Sequence, residues 1–295
     1  MLVLTLIANP QKRDLATGDI SAICTALKAS NIEWLSKGCA CDIALPSHMN
    51  TEEAKGIINL LTRNKAIDFA IQEQDGRRKK ALIADMDSTM IEQECIDELA
   101  AEVGLKDKVS AITARAMNGE IEFESAVEER VALLKGLSSD IAEKVISDRV
   151  TYASGSKTLV KTMQANGAHT ALVSGGFVSF TKPISEYLGF HENRANILEA
   201  ENGALTGRVR KPILGAEAKV EALEDIANSK SITPLEFIAV GDGANDLPML
   251  QHAGTGVALH AKPTVAEQAQ IRIDNGDLTS LLYLQGYKET EFIHE

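Results

Sequence analysis

Ala81-Leu82-Ile83-Ala84-Asp85-Met86-Asp87-Ser88-Thr89 is the stretch that decides the fold of this 295-residue chain. Its apolar run suits a strand buried on both faces, yet it ends in a pair of carboxylates and two hydroxyls. Ligands of open α/β sheets bind beyond the carboxyl ends of the strands, so a strand that delivers acids there delivers them to a site. Alone, the stretch reads equally well as a strand ending in an Asp/Ser turn or a helix cap. The rest of the sequence has to break the tie.

Two later apolar runs end in the same manner. His169 to Val173 leads into Ser174-Gly175-Gly176, a hydroxyl and glycine amides ahead of a helix, which suits phosphate oxygens as well as a plain glycine turn. Glu236 to Val240 leads into Gly241-Asp242-Gly243-Ala244-Asn245-Asp246. Carboxylates from this loop facing Asp85 and Asp87 form a cluster that is electrostatically poor without a cation, and magnesium suits it because it takes oxygen ligands and is often shared with phosphate. Lys219 lies in the first turn of a helix opened by Ala216-Glu217-Ala218. It can place a point charge on a phosphate, although a lone lysine there is more often solvated.

Between the first of these strands and the second lie four helical patterns: Glu92 to Val103, Lys106 to Met117, Phe123 to Leu134 and Asp140 to Ile146. Inserted directly after the strand that carries the acids, they would cover the site as a lid and choose the substrate. Within them Glu94 can meet an ammonium group or lie on a solvated face. Arg130 can hold a carboxylate or pair along its own helix, and Met117 and Phe123 serve as pocket wall or bundle core. Ala195 to Leu198 and Gly203 to Val209 read as a hairpin on Asn202-Gly203.

The first eighty residues alternate strand, helix, extended region, helix and strand, the order of a split βαβ sandwich and of the amino-acid-binding ACT domains. Arg77-Arg78-Lys79-Lys80 reads as an exposed charged linker, with a border near residue 76. The expected division is therefore an α+β module over 1–76, a core over 77–90 and 151–295, and a helical cap over 91–150.

Composition narrows the class. With 44% hydrophobic and 24% charged residues the chain can bury ordinary cores, and 42 acidic against 30 basic side chains give a net charge of -12 that argues against nucleic-acid and basic membrane-surface binding. Leu2 to Ala8 is too short for a span and lacks the flanks of a signal peptide. Cys24, Cys39, Cys41 and Cys95 show no zinc spacing, so reduced thiols and a cytoplasmic location are expected.

Taken in order, Asp85 to Thr89, Ser174-Gly175-Gly176, Lys219 and Gly241 to Asp246 resemble the four motifs of the haloacid dehalogenase superfamily of phosphohydrolases. Asp85 to Glu98, Met117 to Arg130 and Leu205 to Val209 narrow the resemblance to its phosphoserine phosphatase family. The resemblance implies an α/β fold, with a Rossmann-like three-layer core, a parallel sheet and a helical cap. It implies a magnesium-dependent hydrolysis of phosphoserine to serine and phosphate, the last step of serine biosynthesis. Asp85 then matches the nucleophile and Asp87 the acid and base. Asp85, the main-chain carbonyl of Asp87 and Asp242 match the metal site, with Asp246 as a supporting acid. Ser174, Gly175 and Lys219 match the phosphate grip and Asn245 a nearby polar contact. Glu94 and Arg130 match the groups that meet the substrate's amine and carboxylate, and Met117 and Phe123 its apolar walls. Met86 stands where phenylalanine is frequent. Other readings are a related enzyme acting on another small phosphomonoester such as phosphohomoserine, and a non-catalytic amino-acid sensor. A homodimer through the N-terminal module is also expected.

Overall fold

The computed structural model describes residues 1–117 and 120–294, except for the side chain of Met117. The first sheet is built from β1 (Leu2–Ala8), β2 (Ile32–Ser36), β3 (Ala40–Ala44) and β4 (Ile67–Glu73), with α1 (Thr17–Leu27) and α2 (Thr51–Thr62) as the crossings. Its order β2-β3-β1-β4 is antiparallel throughout, which is the split βαβ sandwich expected from the element order. The extended region between Ile32 and Leu45 is a hairpin of two strands, turned at Gly38 with φ of 74°. Alternation along β1 explains the burial: Leu4, Leu6 and Ala8 pack beneath the helices, while Ile7 joins the core of the larger sheet.

The second sheet begins with β5 (Ala81–Ala84). The chain then passes through α3 (Cys95–Glu102), α4 (Lys106–Met117), α5 (Phe123–Ala132) and α6 (Ile141–Arg149) before returning through α7 (Ser156–Ala165) to β6 (His169–Phe177). α8 (Val178–Leu188) and β7 (Glu192–Asn196) follow, then the hairpin of β8 (Leu198–Glu201) and β9 (Ala204–Val209), and then α9 (Ala216–Lys230). The remainder is β10 (Phe237–Gly241), α10 (Leu247–His252), β11 (Thr255–Leu259), α11 (Pro263–Ala266), β12 (Ile271–Ile273) and α12 (Ser280–Leu284). The strand order is β12-β11-β10-β5-β6-β7, parallel at every pairing. Side chains alternate between two cores: Leu82 and Ala84 face the layer of α7, α8 and α12, while Ala81 and Ile83 face that of α9 and α10. Burial on both faces is why β5 reads as an unbroken apolar run. β5 also lies where the strand order reverses, between β6 and β10, so its carboxyl end opens into the sheet's natural binding crevice.

The hairpin forms on Asn202 and Gly203 as expected, both at positive φ, but Ala195 and Asn196 belong to β7 rather than to it. β7 has the sequence Glu-Asn-Arg-Ala-Asn, which carries no strand signal. It is tolerated at a sheet edge, where one side of the ladder is open. No described helix is long and apolar enough to cross a membrane.

The basic run is not a free linker. The side chain of Arg77 is 11% exposed and paired at 2.5 Å with buried Asp42, which also accepts from Thr5. Arg78 covers the ring of Tyr287 and bonds Glu291, Lys79 reaches the carbonyl of Leu235, and Lys80 pairs with Glu236. A charged run can be fixed in this way because each cation finds its own acceptor on the surrounding chain. The two sheets are joined further by Asp68, buried on β4, whose carboxylate accepts from the backbone N–H groups of Asp274, Asn275 and Gly276 and from Asn275 Nδ2, at 2.8–3.0 Å. Replacing Asp68 by Ala strands those donors, and we expect a loss of about 2–3 kcal/mol in chemical unfolding. An unchanged midpoint would show that the loop holds itself.

Candidate active site

Asp85 is the first residue beyond β5, and its N–H still bonds to Val240 of β10. The residue is 5% exposed, and its Oδ1 accepts from Lys219 Nζ at 2.5 Å. Lys219 is 1% exposed, and its other acceptor is Asp246 Oδ1, also at 2.5 Å. The solvated alternative for this lysine is therefore excluded: the first turn of α9 points it under the strand tips. Asp246 is held in turn by the N–H groups of Asp242 and Gly243, which donate to its Oδ2. Gly241 makes room for this packing, since a Cβ there would lie 2.4 Å from Asp246 Cγ.

The carboxylates of Asp85, Asp242 and Asp246 lie within 4.8 Å of one another and all three are buried. Against them the geometry sets one lysine, which bonds two of the three. Asp242 takes only a 3.3 Å bond from the Thr89 hydroxyl among the hydrogen bonds described, and burial followed by the charge of Asp246 pushes its pKa up to about 7. Burial, then Asp246, likewise raises Asp85 well above the ordinary carboxylate range, with Lys219 opposing. An all-oxygen donor set with surplus negative charge fits a hard divalent cation. Asp246, expected as a supporting acid, is the third member of this cluster. The carboxylate of Asp87 is not among these three, and the expected ligand set drew only on its main-chain carbonyl.

Asp87 has separate partners. Its Oδ1 accepts from the N–H of Cys95 at 2.9 Å and its Oδ2 from Ser174 Oγ at 3.3 Å. Burial first, then the charge of Glu94, pushes its pKa up to about 6. The two acids of one strand tip therefore occupy different environments, and Ser88 between Asp87 and Thr89 takes a positive φ of 54° to make the turn.

Ser174 and Gly175 stand at the neighbouring tip of β6, where Gly176 donates to Ser174 Oγ. The ring of Phe123, at the start of α5, lies over Gly175 and Gly215: a Cβ on either would meet it at 3.4 and 3.2 Å. Asn245 is half-buried beside Gly243 at the β10 tip. Glu94 accepts from Ser88 Oγ at 2.8 Å. Arg130 donates to the carbonyl of Ala126 and to Thr113 Oγ1, while burial lowers its pKa against the pull of Asp97, Glu94 and Asp87. Glu94, Arg130 and Phe123 thus converge with the tips of β5, β6 and β10, whereas the side chain of Met117, last residue of α4, lies outside the described residues.

Sequence reasoning missed three members of this arrangement. Asn196, 2% exposed, bonds Gly175 and both backbone groups of Leu214, tying the β6 tip to the segment that leads into Lys219. Cys95 and Asp97, on α3, face Asp87 and Arg130. A polar residue at the end of a strand was the one available signal for Asn196, and a cysteine in a helix's first turn gives none.

The sequence profile of the haloacid dehalogenase-like hydrolases matches residues 82–251. A phosphoserine phosphatase of Archaeoglobus fulgidus is 45% identical over 205 residues, 70% of this chain and 59% of that protein. A probable phosphoserine phosphatase of Schizosaccharomyces pombe is 39% identical over 244 residues, covering 81% of this chain and 82% of its own length. A HAD family hydrolase from Salmonella enterica serovar Typhi superposes with a TM-score of 0.85 at 32% identity, covering 96% of this chain and 98% of the other. With its ordered strand tips, its inserted helices and these relatives, the chain belongs to the haloacid dehalogenase-like hydrolases and, among them, to the phosphoserine phosphatase family.

Proposed function

We propose that the chain hydrolyses O-phospho-L-serine to L-serine and phosphate through a phosphoryl group carried on Asp85. The observation that supports this most directly is the division of the two acids: Asp85 lies against Lys219, and Asp87 against Cys95 and Ser174. A phosphate monoester is among the slowest of biological bonds to hydrolyse, so an anionic nucleophile needs its repulsion with the phosphate offset. Lys219 opposes the rise in pKa that burial and Asp246 impose on Asp85 and contributes one positive charge beside the incoming oxygens. Ser174 Oγ and the N–H groups of the glycine turn are placed to hold those oxygens.

In the first step Asp85 attacks phosphorus, the ester bond to the serine oxygen breaks, and Asp87 gives that oxygen a proton. With its pKa near 6, Asp87 keeps a proton at pH values where an ordinary carboxyl has lost it. In the second step Asp87 takes a proton from water, which attacks the phosphoryl group and frees Asp85. Splitting the reaction in this way lowers each barrier. Asp85, Asp242 and the main-chain carbonyl of Asp87, with Asp246 alongside, would hold magnesium, which when bound neutralises charge on the phosphoryl oxygens. Glu94 and Arg130 would fix the serine ammonium and carboxylate, with Phe123 as the apolar wall. The helices over 91–150 act as the cap, the 1–76 module docks behind the core, and the reaction belongs to the cytoplasm.

Three measurements test this. Asp85→Asn should retain the fold and lose at least a thousandfold in kcat, with no labelled phosphoenzyme trapped by acid quench; undiminished turnover overturns the mechanism. Arg130→Ala should raise KM for phosphoserine by about ten- to a hundredfold, the loss of a charged hydrogen bond, and leave KM for p-nitrophenyl phosphate nearly unchanged. Equal effects on both substrates would remove the amino-acid pocket. Chelation should abolish phosphate release, and added magnesium should restore it, whereas full activity in chelator would exclude the cation from the site.

A further inference from the structure

We infer that the main-chain N–H of Cys95, the first of helix α3, is the group that aims the proton donor Asp87 at the leaving oxygen, which makes Cys95 a positioning residue. The inference rests on the acid role proposed for Asp87 and deepens it.

The carboxylate of Asp87 has contacts on three sides. Cys95 N donates to Oδ1 at 2.9 Å, Ser174 Oγ donates to Oδ2 at 3.3 Å, and a Cβ on Gly176 would stand only 3.0 Å from Oδ2. The bond from Cys95 is the shortest of these and the best fixed. Its donor is backbone, with no rotamer to lose, and belongs to a helical first turn whose N–H groups lack intrahelical acceptors. Ser174, by contrast, is a hydroxyl that a phosphoryl group would claim, so its hold on Asp87 weakens when substrate enters. The Cys95 side chain is 1% exposed and its thiol lies against the same carboxylate, sealing that side from water. Two adjacent residues thereby become part of the catalytic geometry: Glu94, whose carboxylate is proposed for the substrate amine, and Cys95 through its N–H.

The local backbone permits an unusually direct test. Glu94 caps α3 at φ −93° and ψ 108°, and Cys95 occupies the first helical position. That is the position where proline fits a helix, because its missing N–H has no intrahelical role, and an extended preceding residue is what proline requires. Cys95→Pro therefore suits the helix but sets a ring Cδ where the N–H pointed, which removes the hydrogen bond and displaces the Asp87 carboxylate, while Cys95→Ala deletes the thiol and keeps the N–H.

In magnesium-supplemented full-length enzyme, Cys95→Pro should lower kcat for phosphoserine by about ten- to a hundredfold, part of the range that general acid catalysis contributes, with KM changed less than threefold. Its effect on p-nitrophenyl phosphate, whose leaving group needs no proton, should be less than about threefold. Cys95→Ala, which keeps the N–H and loses only the thiol, should lower kcat for phosphoserine at least about fivefold less than Cys95→Pro does. Loss in the alanine variant equal to that in the proline variant, or equal loss on both substrates, overturns the positioning role. Asp87→Asn is the control for the underlying reading. If it fails to show the same leaving-group dependence, the acid assignment is at fault; if it shows it and Cys95→Pro does not, the positioning is at fault.

Should the proline variant not fold, ¹⁵N-cysteine labelling provides a second measurement. The sequence contains four cysteines, so the spectrum carries four amide signals, of which Cys95 is assigned by its loss in Cys95→Ala. Asp87→Asn should shift that signal upfield and leave those of Cys24, Cys39 and Cys41 in place. An unmoved Cys95 amide would show that the hydrogen bond does not exist in solution.

Discussion

A lysine without access to water holds this site together. Lys219 bridges Asp85 and Asp246, and through them it joins three parts of the fold: the tip of β5, the turn after β10 and the first turn of α9. A buried charge is tolerated where it is paired and hydrogen-bonded, and a carboxylate on each side gives the ammonium two charged acceptors. The same pairing leaves a deficit. Three carboxylates share one ammonium, so the cluster retains negative charge that burial makes expensive, and the raised pKa of Asp242 is the local expression of that deficit. The fold is thus built around a charge imbalance that a cation and a phosphoryl group would complete together.

The packing that surrounds this pair works by exclusion of atoms as much as by contact. Gly241 admits Asp246, Gly176 admits the Asp87 carboxylate, and Gly175 and Gly215 admit the Phe123 ring from the cap. Each glycine marks a close approach of its backbone to a neighbouring side chain, from the same turn at Gly241 and from other elements at the rest. The cap itself is tied at its root, where Ile91 and Tyr152 form an antiparallel bridge, Ala153 bonds Met90 and Glu92 bonds Thr151. Its entry and exit strands are therefore one short ladder beside the acids, so the cap's first helix can reach Asp87 from a fixed origin.

Most of the core was legible because its signals are local. β5, β10 and β11 are uninterrupted apolar runs, and β8 and β9 carry a turn whose two residues favour positive φ. The candidate acids stood out because each interrupts such a run. What escaped is the pairing of groups distant in the chain, even where the group itself was a candidate. Lys219 finds Asp85 at a separation of 134 residues, and nothing in Ala-Glu-Ala-Lys-Val tells that this face of the helix is the buried one. The run from Arg77 to Lys80 reads as solvated by composition, yet Asp42, Tyr287, Glu291 and Glu236 supply its partners. β7 is polar because an edge strand need not bury both faces, and the C-terminal tail, which reads as mere charge, places Glu289 against Arg13 and Ser36 of the first module.

Chemistry and selection are physically separable in this arrangement. The carboxylate cluster with Lys219 belongs wholly to the core sheet, and nothing in it depends on what lies beyond the phosphoryl group. Arg130, Glu94 and Asp97 belong to the inserted helices, where Thr113 and the carbonyl of Ala126 fix the guanidinium before any ligand arrives. Such preorganisation matters for a small zwitterion, because it removes the ordering of a long side chain from the free energy of binding. Asp87 is the point at which the two systems meet. It belongs to the core strand by sequence, but its carboxylate is held by the cap through Cys95 and shaped electrostatically by Glu94. On the roles proposed for these groups, a cap seated correctly on an amino-acid substrate also presents the proton donor correctly, and the backbone hydrogen bond from Cys95 is the link between recognition of the serine moiety and cleavage of its phosphate.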